Sequence, residues 1–196
     1  MQRYDERTAL VVVDVQNDFA DPAGSLFVAG AAAILPRVNE AIRDARRAGA
    51  AVVYTQDWHP EVTPHFAKDG GIWPVHCVAE TWGAALHPSL EIAPEAPTIR
   101  KGSNGDDGYS GFTMRDAVSG EARSTGLAEL LRADNVERVV VVGLATDYCI
   151  KATALDAVAL GFSATVVRDA IAAVEVEPGD GERALRELAA AGVTIA

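Results

Sequence analysis

Apolar runs alternate with polar, turn-forming stretches along this chain, and the runs are of two kinds. The first kind is short and unbroken. Thr8–Asp14 (TALVVVD), Ala51–Gln56 (AVVYTQ), Val139–Val142 (VVVV) and Ala164–Val167 (ATVV) show no polar alternation. Short β-branched runs bounded by turn signals predict strands buried on both faces, as in a parallel sheet. Pro97–Lys101 (PTIRK) and Val193–Ile195 predict two shorter strands. The second kind recurs at helical spacing. Ile34, Leu35, Val38, Ile42 and Ala45 share one face of a helix over Ala31–Gly49, which Gly49 stops. Leu127–Ala133, Cys149–Leu160 and Asp180–Ala191 predict three more helices, whereas Gln16–Gly30 has little periodicity and is expected to be a loop. Strands alternating with helices predict an α/β fold of three layers, αβα, with an open, mainly parallel sheet of about six strands and helices on both faces. No repeat, low-complexity segment or linker divides the chain, so residues 1–196 are expected to form a single domain.

An open α/β sheet binds ligands beyond the C-terminal ends of its strands. Four predicted strands carry reactive residues there. Asp14 ends the first, Asp57-Trp58-His59 follow the second, Lys101 ends the third, and the valine run turns through Gly143-Leu-Ala-Thr-Asp147 to Cys149. A thiol where a strand hands over to a helix N-terminus is biased toward thiolate. Taken singly, each residue has an ordinary reading: Asp14 as a strand-end cap, Lys101 as a solvated lysine, Cys149 as a small buried hydrophobe. Their convergence on one rim favours chemistry. A carboxylate near a thiol can act as general base, and a lysine beside both lowers the thiol's pKa and keeps the carboxylate ionised.

Three of the four histidines, His59, His65 and His76, fall in one stretch together with Asp57. Residues two apart at a strand end point the same way, which suits Asp57 and His59 as joint ligands. An Asp-plus-His set fits Zn²⁺, Fe²⁺ or Mn²⁺, against the plainer reading of loop histidines making polar contacts. His87 lies past the cluster and is expected to be a cap or surface residue. Cys77 lacks a second cysteine at metal-binding spacing and reads as structural. Phe19 is either a pocket wall or a core plug. Trp58, Trp73 and Trp82 either pack the long loop or stack on a flat substrate. The glycine-rich Gly102–Phe112 segment lacks the order of a phosphate-binding loop.

Composition narrows the partners. A net charge of −11 repels nucleic acid and anionic membranes. No apolar run is long enough to span a bilayer, and the first residues, Met-Gln-Arg-Tyr-Asp-Glu-Arg, lack the apolar stretch of a signal peptide. A cytoplasmic protein is therefore expected, and monomer or homo-oligomer stays undetermined.

Several pieces in order along the chain carry a resemblance: Leu10-Val-Val-Val-Asp14-Val-Gln-Asn-Asp-Phe19, Asp57-Trp-His59 with His65-Phe66, Trp73-Pro-Val-His76-Cys77, His87-Pro-Ser-Leu90, Lys101-Gly102, Tyr109-Ser-Gly-Phe112 and Gly143-Leu-Ala-Thr-Asp-Tyr-Cys149. The chain resembles the isochorismatase-like cysteine hydrolases, and the Asp-x-His and Trp-Pro-x-His-Cys pieces resemble their metal-binding nicotinamidase branch. The resemblance implies Asp14, Lys101 and Cys149 as a catalytic triad. It implies one divalent metal, Zn or Fe before Mn, on Asp57, His59 and His76, with His65 as a ligand that not all members use. It implies Phe19 and Trp73 around a pyridine ring with Tyr109 near the pocket, and no nucleotide cofactor. It also implies a non-proline cis peptide before Ala145, aiming the Ala145 and Cys149 backbone N–H groups at an oxyanion. The expected reaction is hydrolysis of nicotinamide, and of pyrazinamide, through a Cys149 thioester in NAD salvage. Rival readings are a family member acting on a carbamoyl or ureido substrate, a non-catalytic α/β binding protein, and a redox-sensing thiol protein.

Overall fold

A computed structural model describes residues 4–196. The chain runs β1 (Thr8–Val13), α1 (Asn17–Ala20), α2 (Ala31–Arg47), β2 (Ala51–Asp57), β3 (Thr98–Lys101), β4 (Thr113–Arg115) and β5 (Ala122–Ser124). It continues with α3 (Leu127–Ala133), β6 (Arg138–Leu144), α4 (Lys151–Ala159), β7 (Ser163–Ala172), α5 (Asp180–Ala190) and β8 (Thr194–Ile195). Six strands form one parallel sheet in the order β3-β2-β1-β6-β7-β8. The order reverses at β1, between β2 and β6, so the crevice of the fold opens at the ends of those strands.

The unbroken apolar runs form the centre. All six residues of β1 are buried, and its alternate side chains enter two cores. Leu10 and Val12 pack with Val140, Val142 and the apolar face of α2. Ala9, Val11 and Val13 pack with Val139, Val141 and residues of α3, α4 and α5. Each fully buried valine contributes about 1.5–3 kcal/mol of transfer free energy. These two cores are the physical content of the expected three layers.

The structure adjusts several expectations. The Gln16–Gly30 segment contains a short helix, α1, with all four of its residues buried. Pro36 lies inside α2, where it removes the N–H that the Ala32 carbonyl would accept from; both residues face solvent, so that carbonyl is not left unpaired in the core. The strand expected over Ala164–Val167 is β7, and it extends to Ala172 rather than ending at Val167. Val141 pairs with Val166 but Gly143 pairs with Ile171, so polar Arg168 and Asp169 ride out in a bulge that hides the strand from its apolar pattern. The antiparallel β4–β5 hairpin has no apolar alternation because its strands are mostly exposed. The helix expected to open at Cys149 starts two residues later; Thr146–Ile150 form a single π-helical turn before it.

Candidate active site

The C-terminal ends of β1, β2, β3 and β6 bring Asp14, Asp57, Lys101 and Cys149 together. Asp14 adopts a left-handed φ of 49°, a conformation that aspartate tolerates. Its Oδ1 accepts a 2.6 Å hydrogen bond from the Thr55 hydroxyl. Its Oδ2 lies 2.8 Å from Lys101 Nζ and has no aligned hydrogen-bond donor. Lys101 also pairs with Asp57 Oδ1, and its Nζ lies 3.6 Å from Cys149 Sγ. Carboxylate oxygens of Asp14 and Asp57 and the Cys149 sulfur all fall within 4.8 Å of one another. Lys101, read alone as a solvated lysine, is in fact fully buried.

The backbone that carries Cys149 needs Gly143. A Cβ there would stand 2.2 Å from the Val13 carbonyl oxygen, and its φ is 114°. The Leu144–Ala145 peptide is cis, and Leu144, Ala145 and Cys149 line the same pocket.

Burial corrects the expected thiolate. It pushes the Cys149 thiol well above its usual pKa; the Lys101 ammonium works against this, and the charges of Asp14 and Asp57 add to it. Burial likewise raises Asp14, opposed by Lys101 and reinforced by Asp57. For Asp57 burial acts upward too, but Lys101, His59 and His76 outweigh it and hold this carboxyl well below the usual range. Burial alone would lower Lys101, yet Asp14 and Asp57 raise it well above its usual value. The site at rest is thus a protonated thiol beside an ammonium and two carboxylates of unequal basicity.

Asp57 joins this group to the histidines. Its Oδ2 lies 3.9 Å from both His59 Nε2 and His76 Nε2. One ring nitrogen each of His59, His65 and His76 falls within 4.8 Å of the others, and all three residues are buried. Among the described residues, neither ring nitrogen of His59 has a hydrogen-bond partner. Burial lowers the His59 pKa to about 4, with the Asp57 charge opposing and His65 and His76 adding. Burial also lowers His76, against Asp57. Converging imidazoles beside a carboxylate, one with unpaired buried nitrogens, fit a divalent metal of the zinc or iron type. Gly102 allows the approach: a Cβ there would stand 2.6 Å from His59 Nδ1.

A pocket spans the two groups, lined by Cys149 and Ala145 on one side and by Asp57, His65 and His76 on the other. Phe19, Trp73, Tyr109 and Tyr148 give it aromatic walls. Trp73 Nε1 donates a 3.0 Å hydrogen bond to the Tyr109 hydroxyl, and both rings meet Tyr148 edge-on. Of the tryptophans, only Trp73 lines this pocket; Trp58 lies under the Arg100 guanidinium and Trp82 is exposed. His87 stands apart, accepting from the Ser89 N–H at 3.2 Å. Cys77 is a buried free thiol.

The Isochorismatase domain family matches residues 8–196. The chain belongs to this family. Its relatives include the nicotinamidase of Escherichia coli, 36% identical, with 95% of this chain and 93% of that one covered. Among solved structures, the pyrazinamidase of Pyrococcus horikoshii in complex with zinc superposes with a TM-score of 0.87 at 42% identity, covering 97% of this chain and 98% of that one. The PnC1 protein of L. infantum in complex with nicotinate gives 0.90 at 37% identity, covering 100% and 95%. The α/β fold with its six-stranded, mainly parallel sheet is that of these isochorismatase-family neighbours.

Sequence reasoning missed two polar residues at this isochorismatase-family site. Gln16 is buried; its Nε2 donates to the Asp57 and Ala84 carbonyls at 2.7 and 2.9 Å, and its Oε1 accepts from the Asp57 N–H at 2.9 Å. It ties the end of β1 to the end of β2, and the signal available was its place two residues after Asp14. Asp107 is the other. Its Oδ1 lies 2.7 Å from His65 Nδ1, and that hydrogen bond holds its carboxyl below the usual range. Nothing in the glycine-rich segment that bears it announces such a partner.

Proposed function

We propose that this chain is an amidohydrolase that converts nicotinamide and water to nicotinate and ammonia, takes pyrazinamide as well, and serves NAD salvage. One observation carries the reading: a single aromatic-walled pocket is lined both by Cys149, with buried Lys101 and Asp14 behind it, and by Asp57, His65 and His76 of the metal-fitting group. A flat ring bearing both a ring nitrogen and a carboxamide is matched by those two groups and by walls of Phe19 and Trp73, with Tyr109 beside them. The similarity to nicotinamidases and to a nicotinate-bound neighbour supports the same substrate.

In this reading Asp14, poised above the usual carboxylate range, takes the proton from Cys149 Sγ as the sulfur bonds to the carboxamide carbon. The backbone N–H groups of Ala145 and Cys149 donate to the oxygen as it gains charge. Asp14 returns the proton to the departing nitrogen, the C–N bond breaks, and ammonia leaves behind a Cys149 thioester. Asp14 then takes a proton from the water that attacks the thioester carbon. Nicotinate leaves and the proton returns to the sulfur. Lys101 keeps a positive charge beside Asp14 and Cys149 throughout. Asp57, His59, His65 and His76 would hold one divalent metal, Zn²⁺ or Fe²⁺ ahead of Mn²⁺, which when bound supplies a Lewis-acid contact that orients the ring nitrogen. The reading calls for no nucleotide cofactor.

Ammonia release from nicotinamide by the protein and by Cys149→Ala tests this. Release is expected from the protein, with a fall of about 10⁴-fold or more in the variant. Equal release by both would overturn Cys149 as nucleophile. Failure of the metal-loaded parent on nicotinamide, with hydrolysis of a carbamoyl or ureido amide instead, would overturn the substrate.

A further inference from the structure

The three histidines near Asp57 are held in different ways. His76 Nδ1 lies 2.8 Å from the Pro74 carbonyl oxygen, and the His59 nitrogens have no hydrogen-bond partner among the described residues. His65 alone is backed by a carboxylate, that of Asp107, at 2.7 Å. An ionised carboxylate only accepts, so Nδ1 must be the donor, and the lone pair then sits on Nε2. The carboxylate is itself fixed. Its Oδ1 also accepts from the Gly108 N–H at 2.8 Å. Its backbone is clamped to Arg115 in both directions: the Asp107 N–H donates to the Arg115 carbonyl at 2.7 Å, and the Asp107 carbonyl accepts from the Arg115 N–H at 2.6 Å. The β4 strand thereby anchors a charge directly behind one imidazole of the cluster.

We propose that Asp107 is a positioning residue that fixes His65 as a metal ligand, by setting its tautomer and orienting its ring. The inference rests on the metal reading given above. It assigns His65 to the ligand set on a contact belonging to this chain, and it gives the glycine-rich segment a purpose: to deliver Asp107 to His65 and, two residues on, Tyr109 to the pocket wall.

The test is Zn²⁺ affinity of the metal-stripped full chain, measured by competition with a chromophoric chelator. Asp107→Ala is expected to bind Zn²⁺ about 10–100-fold more weakly than the parent. Asp107→Asn is expected to recover most of that loss, because its amide oxygen can still accept from Nδ1–H. In a His65→Ala background, Asp107→Ala is expected to cost nothing further, since the two residues act through one contact. Parent-like affinity in Asp107→Ala would overturn the proposal. So would a loss that persists in the His65→Ala background or that Asn fails to rescue, because either would mark a general effect on the loop. Melting temperatures of the metal-free variants separate damage to the fold from loss of the ligand. A parent that takes up no Zn²⁺ would overturn the metal reading itself, and the assignment of Asp107 with it.

Discussion

Asp14 and Asp57 end neighbouring strands, are both buried and share one ammonium, yet their environments drive them apart. Asp14 is raised by burial and by the negative charge of Asp57, with the Lys101 ammonium opposing, and its pKa rises. Asp57 has Lys101 on one oxygen and His59 and His76 near the other, and its pKa falls. Paired groups pushed in opposite directions are a signature of divided labour. A carboxyl that readily accepts a proton suits a base that must cycle; one that resists protonation suits a permanent ligand. The difference comes from what lies on the far side of each carboxylate: a thiol for Asp14, a nest of imidazoles for Asp57.

The largest effect that could break this comparison comes from exchanging each carboxylate for its amide. Asp14→Asn is expected to lower kcat on nicotinamide by about 10²–10⁴-fold, the range for losing a general base, while Zn²⁺ content stays at the parent level. Asp57→Asn is expected to lose bound Zn²⁺ under the same dialysis. Metal analysis alongside kinetics checks both. If Asp14→Asn stripped the metal, or Asp57→Asn kept it at full occupancy, the division of labour would be wrong.

Lys101 offers a sharper test. Lys101→Met leaves two buried carboxylates without their shared countercharge, and urea denaturation at pH 7 is expected to show a loss of about 3–5 kcal/mol. The two carboxylates should not contribute equally to that loss. Asp57, held ionised, has the more to lose, while Asp14 can take up a proton. Adding Asp57→Asn to Lys101→Met is therefore expected to restore more stability than adding Asp14→Asn. Equal restoration would mean that the two carboxylates carry the same charge in the folded protein.

How far this arrangement was legible beforehand follows from where the information sits. Asp14, Asp57, Lys101 and Cys149 could be found because unbroken apolar runs locate strands, and strand ends locate a site. Their contacts run across parallel neighbours whose order the alternation of strands and helices nearly dictates. Asp107 and Gln16 could not be found that way. The His65–Asp107 contact joins two irregular segments 42 residues apart, and the Gln16 contacts with Asp57 and Ala84 span 41 and 68. No period links such positions. The state of Cys149 was hidden for another reason. A turn before a helix and a nearby lysine both favour thiolate, but the outcome depends on burial, and only the packed structure shows that the residue is 5% exposed. The β4–β5 hairpin escaped because exposed strands leave no apolar trace.

The smallest effect concerns the imidazole side alone and turns on pH. In the metal-free protein His59 has a pKa lowered from 6.5 to about 4. Between those values the unfolded chain binds a proton at His59 that the folded chain refuses, so stability falls as pH drops through this window. Below about 4 both states are protonated and the loss stops growing; the whole contribution is about 3 kcal/mol. Asp14 acts with the opposite sign, because its raised pKa lets the folded state hold a proton more tightly, and its contribution grows as pH falls. The two can be separated by difference. Urea unfolding of the metal-free parent and of His59→Asn across pH 7 to 4 leaves the Asp14 contribution common to both, so the parent is expected to lose stability more steeply than the variant. Parallel curves would show that His59 is not buried as a neutral imidazole, and the contrast between the two ends of the pocket would then rest on Lys101 alone.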